Sequence, residues 1–192
     1  MIRQANHSDM NEIARIHKQQ FNDHFLGKYS VRMIQKFYES YLDSCIFLVS
    51  VSDEVINGFV MGGRYVNLNK SKEKFIHDNK LHYIIETIFR PYIYLQAFRR
   101  LRLIKPDPAS VSETDANLIS LLSISVSENA KGTGVASELI NEFEKQVGLE
   151  SDAYSLSVKK TNNRAIQFYY RKGFVIEVEK ESSIFMTKTL HF

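Results

Sequence analysis

Between Leu118 and Val147 the chain reads LISLLSISVSENAKGTGVASELINEFEKQV, a strand-like run that enters a Gly132-Thr133-Gly134 turn and leaves it as an amphipathic helix. The first four N–H groups of a helix have no partner inside it, and the aligned peptide dipoles add partial positive charge at the same end. Gly132 and Gly134 carry no Cβ, so the main chain there can take positive φ and let an anion approach closely. Lys131 places a cation beside the turn. Val135, Leu139, Ile140, Phe143 and Val147 recur at three- and four-residue steps, which gives the helix one apolar face to lay against a sheet. The packed face holds the helix down, and its anion-binding end stays at the surface.

The strand before the turn changes phase. Ile119 and Leu121 share one register, while Leu122, Ile124 and Val126 occupy the other, with Ser120, Ser123 and Ser125 between them. A slip of one residue is the signature of a β-bulge, which bends a strand and interrupts its ladder. A neighbouring strand then splays away, and an extended amide-bearing ligand can fill the slot.

A second stretch, AYSLSVKKTNNRAIQFYYRKGF from Ala153 to Phe174, begins with alternation: Tyr154, Leu156 and Val158 against Ser155 and Ser157. This is a strand. Thr161 or Asn162 is placed to cap a helix starting near Arg164, with Ala165, Ile166, Phe168 and Tyr169 on its apolar side and Gly173 at its end. Elsewhere the pattern predicts a short strand at Ile2 to Ala5 and helices from Ser8 to Gln20 and Ser30 to Leu42. Strands from Cys45 to Val51 and Val55 to Met61 flank a turn at Ser52-Asp53-Glu54, and Val175 to Val178 with Ile184 to Thr189 form a last hairpin.

With 192 residues and 44% hydrophobic content, one domain spanning 1–192 can build a proper core. The N-terminal MIRQANHSDMNE has no signal-type apolar core, and no apolar run approaches the roughly 20 residues of a membrane span, so the expected location is cytoplasmic. Cys45 is the single cysteine, which excludes an internal disulfide or a thiolate metal site. His17 to His24 and His77 to His82 lack the i, i+4 spacing of a helical ligand pair, so no metal is expected.

One segment stands apart. From Arg64 to Lys105 there are ten Lys or Arg and three acids, a local +7 against a whole-chain +3, so the remainder is −4. Leu81, Ile84, Ile85, Ile88 and Phe89 predict one helix; Pro91 breaks it, and Tyr92, Leu95, Phe98 and Leu101 predict another. A basic helical pair can be a solvated packing insert, a site for a phosphate-bearing ligand, a homodimer contact or an anionic-surface contact. Nucleic acid is not expected, because no binding motif accompanies the charge.

The run Val126-Ser127-Glu128-Asn129-Ala130-Lys131-Gly132-Thr133-Gly134, followed by Asn162-x-x-Ala165-x-x-Phe168-Tyr169-x-x-x-Gly173-Phe174, resembles the GNAT superfamily of acyl-CoA-dependent N-acetyltransferases. Ile2-Arg3-Gln4-Ala5 before Asp9 is similar to that family's opening strand. The resemblance implies an α/β (α+β) fold: a mixed, mostly antiparallel sheet of about seven strands, helices on both faces, a bulge that splays the middle, and here a helical insertion at about 64–115. Two positions depart from the family pattern, with Asn129 where Gln or Arg is usual and Glu128 where Pro is common. Diphosphate contacts run mainly through main-chain amides, so binding is expected to survive both.

The implied reaction moves an acetyl group from acetyl-CoA to a primary amine by direct attack. The donor would lie along Ile124, Ser125 and Val126, against Asn129, Lys131, Gly132, Thr133, Gly134, Val135 and Ala136, and near Asn162 and Arg164. A main-chain N–H near Val126 would polarise the thioester carbonyl. Tyr169 matches the position that supplies the acid; a phenol of pKa about 10 stays protonated at neutral pH and can donate to sulfur. Glu113, Asp115 and His17 are the candidate bases, beside water-mediated proton removal. His17, Phe21, Phe25-Leu26-Gly27 and Phe37-Tyr38 resemble a GNAT branch of bacterial glycan assembly, which implies an amino-sugar acceptor, free or nucleotide-linked. A peptide or protein amine, a small polyamine, and a chain that binds acyl-CoA without turnover are the alternatives.

Overall fold

Seven strands and six helices account for the residues that the computed structural model describes, 1–88 and 118–190. In chain order they are β1 (Ile2–Gln4), α1 (Met10–Gln20), α2 (Val31–Glu39), β2 (Ile46–Ser52), β3 (Val55–Arg64), α3 (Tyr65–Asp78), α4 (Lys80–Ile88), β4 (Ile119–Val126), α5 (Val135–Val147), β5 (Ala153–Lys159), α6 (Asn163–Arg171), β6 (Val175–Glu179) and β7 (Ser183–Thr189). The strands form one sheet in the order β1-β2-β3-β4-β5-β7-β6. Every neighbouring pair is antiparallel except β4 and β5, which run parallel.

Alternation along the central strands sends side chains to opposite faces, and each face has its own core. Phe47 and Val49 of β2 join Phe59 and Met61 of β3 under α1, α2 and α3. Leu48 and Val60 point the other way, into a core completed by Leu139, Ile140 and Phe143 of α5 and Ile166 and Tyr169 of α6. Helices therefore cover both faces, as the resemblance implied.

The phase slip in β4 is a bulge. Its register with β3 runs Gly58↔Val126 to Met61↔Ser123 and then jumps to Gly62↔Leu121, which leaves Leu122 as the extra residue. Leu122 is 44% exposed in the middle of the sheet. Gly62, across from the jump, has to be glycine: a Cβ there would stand 2.5 Å from Ser120 O and 2.7 Å from the Phe143 ring. On the other side, β4 pairs with β5 only at Ile119↔Tyr154, Ser120↔Ser155 and Leu121↔Leu156. Beyond Leu121 the two strands separate.

Local rules set most helix ends. Ser30 caps α2 by accepting from the Met33 N–H, and Asn162, rather than Thr161, caps α6 by accepting from the Ala165 N–H. α1 begins two residues after the predicted Ser8, because Asn6 and Asp9 form a capping box around a 3-10 turn at His7–Asp9. The Asp9 carboxylate also takes both arms of the Arg3 guanidinium, at 2.7 and 2.8 Å. α2 stops at Glu39, short of the predicted Leu42.

α4 coincides with the first predicted insertion helix, whereas α3 was not foreseen. Its buried positions are Leu68, Ser71 and Phe75 alone, a seam too sparse to stand out among Asn, Lys and Glu. The second predicted helix of the insertion, the arginines at 99, 100 and 102, and the candidate bases Glu113 and Asp115 lie outside the described residues. No helix among the described residues is long and apolar enough to cross a membrane, and no group of three His, Cys, Asp or Glu there could hold a metal ion.

Candidate active site

The separation of β4 from β5 opens a cavity of about 770 Å³, lined by β4 from Leu121 to Val126, by Ser157, Val158 and Lys159 of β5, and by α6. Its floor at one end is the glycine turn. Gly132 has φ +83° and Gly134 φ +93°, so both sit in the left-handed region that disfavours any side chain. A Cβ at either would meet nothing within 4 Å, which shows that the open side of the turn faces free space. Among the described residues, the N–H groups of Gly132, Gly134, Val135 and Ala136 have no acceptor, and no side chain caps α5. Four donors without a partner among the described residues thus lie together at a helix N-terminus, the kind of arrangement that binds a diphosphate.

Charge around the cavity agrees. Lys131, Lys159, Arg164 and Arg171 line it, and no Asp or Glu is among its described lining residues. Lys131 is engaged with Glu128 at 2.5 Å, and Gln20 of α1 donates to the same carboxylate at 3.1 Å. Those two hydrogen bonds, Lys131 first, hold the Glu128 carboxyl below its usual range. The residue that departs from the family pattern therefore ties the anion loop to α1.

Of the sequence-predicted donor residues, Ile124, Ser125, Val126, Lys131, Gly132, Gly134, Ala136, Asn162, Arg164 and Tyr169 all line the cavity. Three do not. Asn129 is exposed on the 3-10 turn before the loop, Thr133 folds back to donate from Oγ1 to Ala130 O at 2.8 Å, and the Val135 side chain packs on the α5 core. Tyr169 is 7% exposed, makes no hydrogen bond to a described residue, and has its phenol pushed up to about 12 by burial. It is a neutral donor throughout the physiological range.

At the other end of the cavity stands His17, 6% exposed, beside Gln20, Phe21 and His24. Its Nδ1 lies 2.7 Å from the Tyr38 hydroxyl, which is itself 3.0 Å from Ser123 Oγ. Nε2 is enclosed and has no partner among the described residues. Burial, with His24 and Lys18 nearby, drives the imidazole down to about 3, so it is neutral at physiological pH. Gln20, His24 and Ser123 carried no sequence signal as site residues; only the fold brings them to the cavity.

The insertion is tied to the segment that follows α1. Glu86 of α4 accepts from both the main-chain N–H (2.9 Å) and the hydroxyl of Ser30, the cap of α2. Tyr83 stacks on Tyr29 with ring centroids 5.2 Å apart. α4 is thereby fastened to the loop that joins α1 to α2.

A strand that bulges and splays, feeding a glycine turn and a helix N-terminus, is the architecture of an acyl-CoA-binding transferase. The chain belongs to the acetyltransferase (GNAT) family, whose sequence description matches residues 10–174. It is thus an acyltransferase by family. Solved structures share the fold over essentially their whole length. A protein described as an acetyltransferase is 21% identical, with all of both chains covered and a TM-score of 0.67. The PaiA N-acetyltransferase of Thermoplasma acidophilum, solved with coenzyme A, is 16% identical over 98% of each chain, with a TM-score of 0.60. The ribosomal-protein-alanine N-acetyltransferase of Brucella melitensis is 15% identical over 99% of each chain, with a TM-score of 0.63. No curated protein sequence matches the chain.

Proposed function

We propose that the protein transfers an acetyl group from acetyl-CoA to a primary amine by direct attack, without a covalent enzyme intermediate. The observation that carries this reading is the continuity of one groove. The four donors of the glycine turn suit the diphosphate, and the β5-facing edge of β4 beyond Leu121 offers its main chain to an extended amide arm. Following that edge from Val126 back to the bulge brings the acyl end beside Tyr169 on one face and His17 on the other.

Tyr169 donates its proton to the departing thiolate, a role its raised pKa suits. The amine proton leaves through water in the cavity, because an imidazole with a pKa near 3 is a weak proton acceptor at neutral pH. Glu113 and Asp115, just before β4, are the remaining base candidates.

For the acceptor we favour an amino sugar, including a nucleotide-linked one. Four cations at the cavity and the basic insertion fastened at the α1–α2 end support an acceptor that carries phosphate. A peptide amine is the second reading, and the likeness to a ribosomal-protein-alanine N-acetyltransferase favours it.

Release of free thiol from acetyl-CoA with panels of amino sugars and of peptides tests the activity and separates the two readings. Tyr169→Phe is expected to lower kcat by about one to three orders of magnitude with acetyl-CoA affinity unchanged. Full activity in that variant rejects the acid assignment. Acetyl-CoA binding without turnover of any amine would make the chain a non-catalytic binder.

A further inference from the structure

The chain His17–Tyr38–Ser123 joins a helix on one face of the sheet to the bulge in its middle, and its proton count is restrictive. Tyr38 is fully buried and has one proton for two neighbours, His17 Nδ1 at 2.7 Å and Ser123 Oγ at 3.0 Å. If Tyr38 donated to Nδ1, the imidazole proton would sit on Nε2, enclosed and without an acceptor among the described residues. Orphaned N–H groups are rarer in protein interiors than orphaned acceptors. The opposite polarity is favoured: Nδ1–H donates to the Tyr38 oxygen, and Tyr38 donates to Ser123 Oγ. That arrangement uses one Ser123 lone pair and leaves its O–H free.

The free O–H is placed to turn toward the cavity. Ser123 lines the cavity and follows Leu122, the extra residue of the bulge, on the stretch of β4 that β5 no longer pairs. Tyr38 reaches it from the core beneath α1 and α2, whereas Tyr169 belongs to the core on the opposite face. A carbonyl at the bulge would meet a hydroxyl donor from each side, one for its oxygen and one for the leaving sulfur.

We propose that Ser123 donates its hydroxyl proton as a hydrogen bond to the carbonyl oxygen of the bound thioester, and that His17 is a positioning residue that fixes this donor through Tyr38. The assignment rests on acetyl-CoA being the donor. It gives the reacting carbonyl a side-chain partner beside the main-chain N–H groups of β4, aimed where negative charge develops as the amine attacks. A neutral His17 is required, since an imidazolium would protonate both nitrogens and bury a charge.

Two measurements on the full chain test it. Nitrogen-15 spectroscopy of the ligand-free protein reads the His17 tautomer, with Nδ1–H expected and Nε2–H overturning the proposal. Isotope-edited infrared spectroscopy of carbonyl-labelled acetyl-CoA reads polarisation without an acceptor. The carbonyl stretch should move to lower frequency on binding the wild type. Ser123→Ala should lose most of that shift and Tyr38→Phe part of it, each variant being read at a concentration of acetyl-CoA that saturates it. Equal frequencies in wild type and Ser123→Ala, with acetyl-CoA bound to both, overturn the Ser123 assignment and leave the donor reading standing. Failure of the wild type to bind acetyl-CoA sinks the donor reading and this proposal with it.

Discussion

The two ends of the cavity are built by different means. The anion end comes from one continuous stretch, β4 to α5, and its working parts are main-chain N–H groups set by two glycines at positive φ. The His17 end is assembled from side chains far apart in sequence: His17 with Tyr38 across 21 residues and Tyr38 with Ser123 across 85, while Ser30 with Glu86, across 56, ties α4 to the neighbouring α1–α2 loop. Main-chain sites are tolerant of side-chain drift, which is why Asn129 and Glu128 can depart from the family pattern without dismantling the loop. Side-chain sites specify one geometry and fail when any member changes. The difference predicts that damage at one end should leave the other working.

The largest effect expected from breaking that division is at the turn. Gly134→Glu forces a side chain onto φ +93° and puts a carboxylate where the proposed diphosphate site lies. Because a Cβ there meets nothing within 4 Å, the fold should survive the substitution. Calorimetry should show acetyl-CoA affinity falling about a hundredfold or more, roughly 2.8 kcal/mol, with the nitrogen-15 spectrum of His17 in the ligand-free protein unmoved. Unchanged affinity would place the diphosphate elsewhere.

A smaller, mirror-image effect is expected from Glu86→Ala. The Glu86 carboxylate takes two hydrogen bonds from Ser30, the cap of α2, and fastens α4 to the α1–α2 loop. Its removal should lower stability by about 1–2 kcal/mol, the range of a lost helix-cap interaction. It should also raise the acceptor KM while acetyl-CoA binding stays as it was. Loss of acetyl-CoA binding would show that the insertion serves the donor, and the two ends would no longer be separable.

The same contrast explains what could be read from the amino acids. The bulge was legible because a phase slip is local: Leu122 breaks the alternation by itself, and across from it Gly62 leaves no room for a Cβ. The Asn162 cap and the helix that carries Tyr169 are likewise written within a dozen residues. His17–Tyr38–Ser123 was not legible, because Ser123 looks like any half-buried serine until Tyr38 is brought to it from another layer. α3 stayed hidden for a related reason. Its helical seam has Ser71 between Leu68 and Phe75, and that serine finds its partner in Ser44, 27 residues away, at 2.6 Å.

His17 offers the mildest and most selective probe of the side-chain end. In the folded chain its pKa is lowered to about 3 by burial, with His24 and Lys18 adding to the effect, against 6.5 for the free group. Below pH 6.5 the unfolded chain takes up a proton that the folded chain refuses, so unfolding is favoured as the pH falls. The stability contribution is therefore fully present above 6.5 and is lost progressively down to about 3, at about 1.4 kcal/mol per pH unit. Denaturant unfolding at pH 7 and pH 5.5 should differ by about that amount in the wild type. His17→Gln should start lower at pH 7, having lost a buried ring, and show a flatter dependence over the same interval. Asp9 does not confuse the comparison. Burial alone would raise its carboxyl, but Arg3 and the Asn6 N–H hold it below its ordinary 3.8, so its own loss of stability begins at lower pH. A slope that persists unchanged in His17→Gln would mean that His17 is not the group taking up the proton, and that it is already charged, or reachable by water, in the folded state.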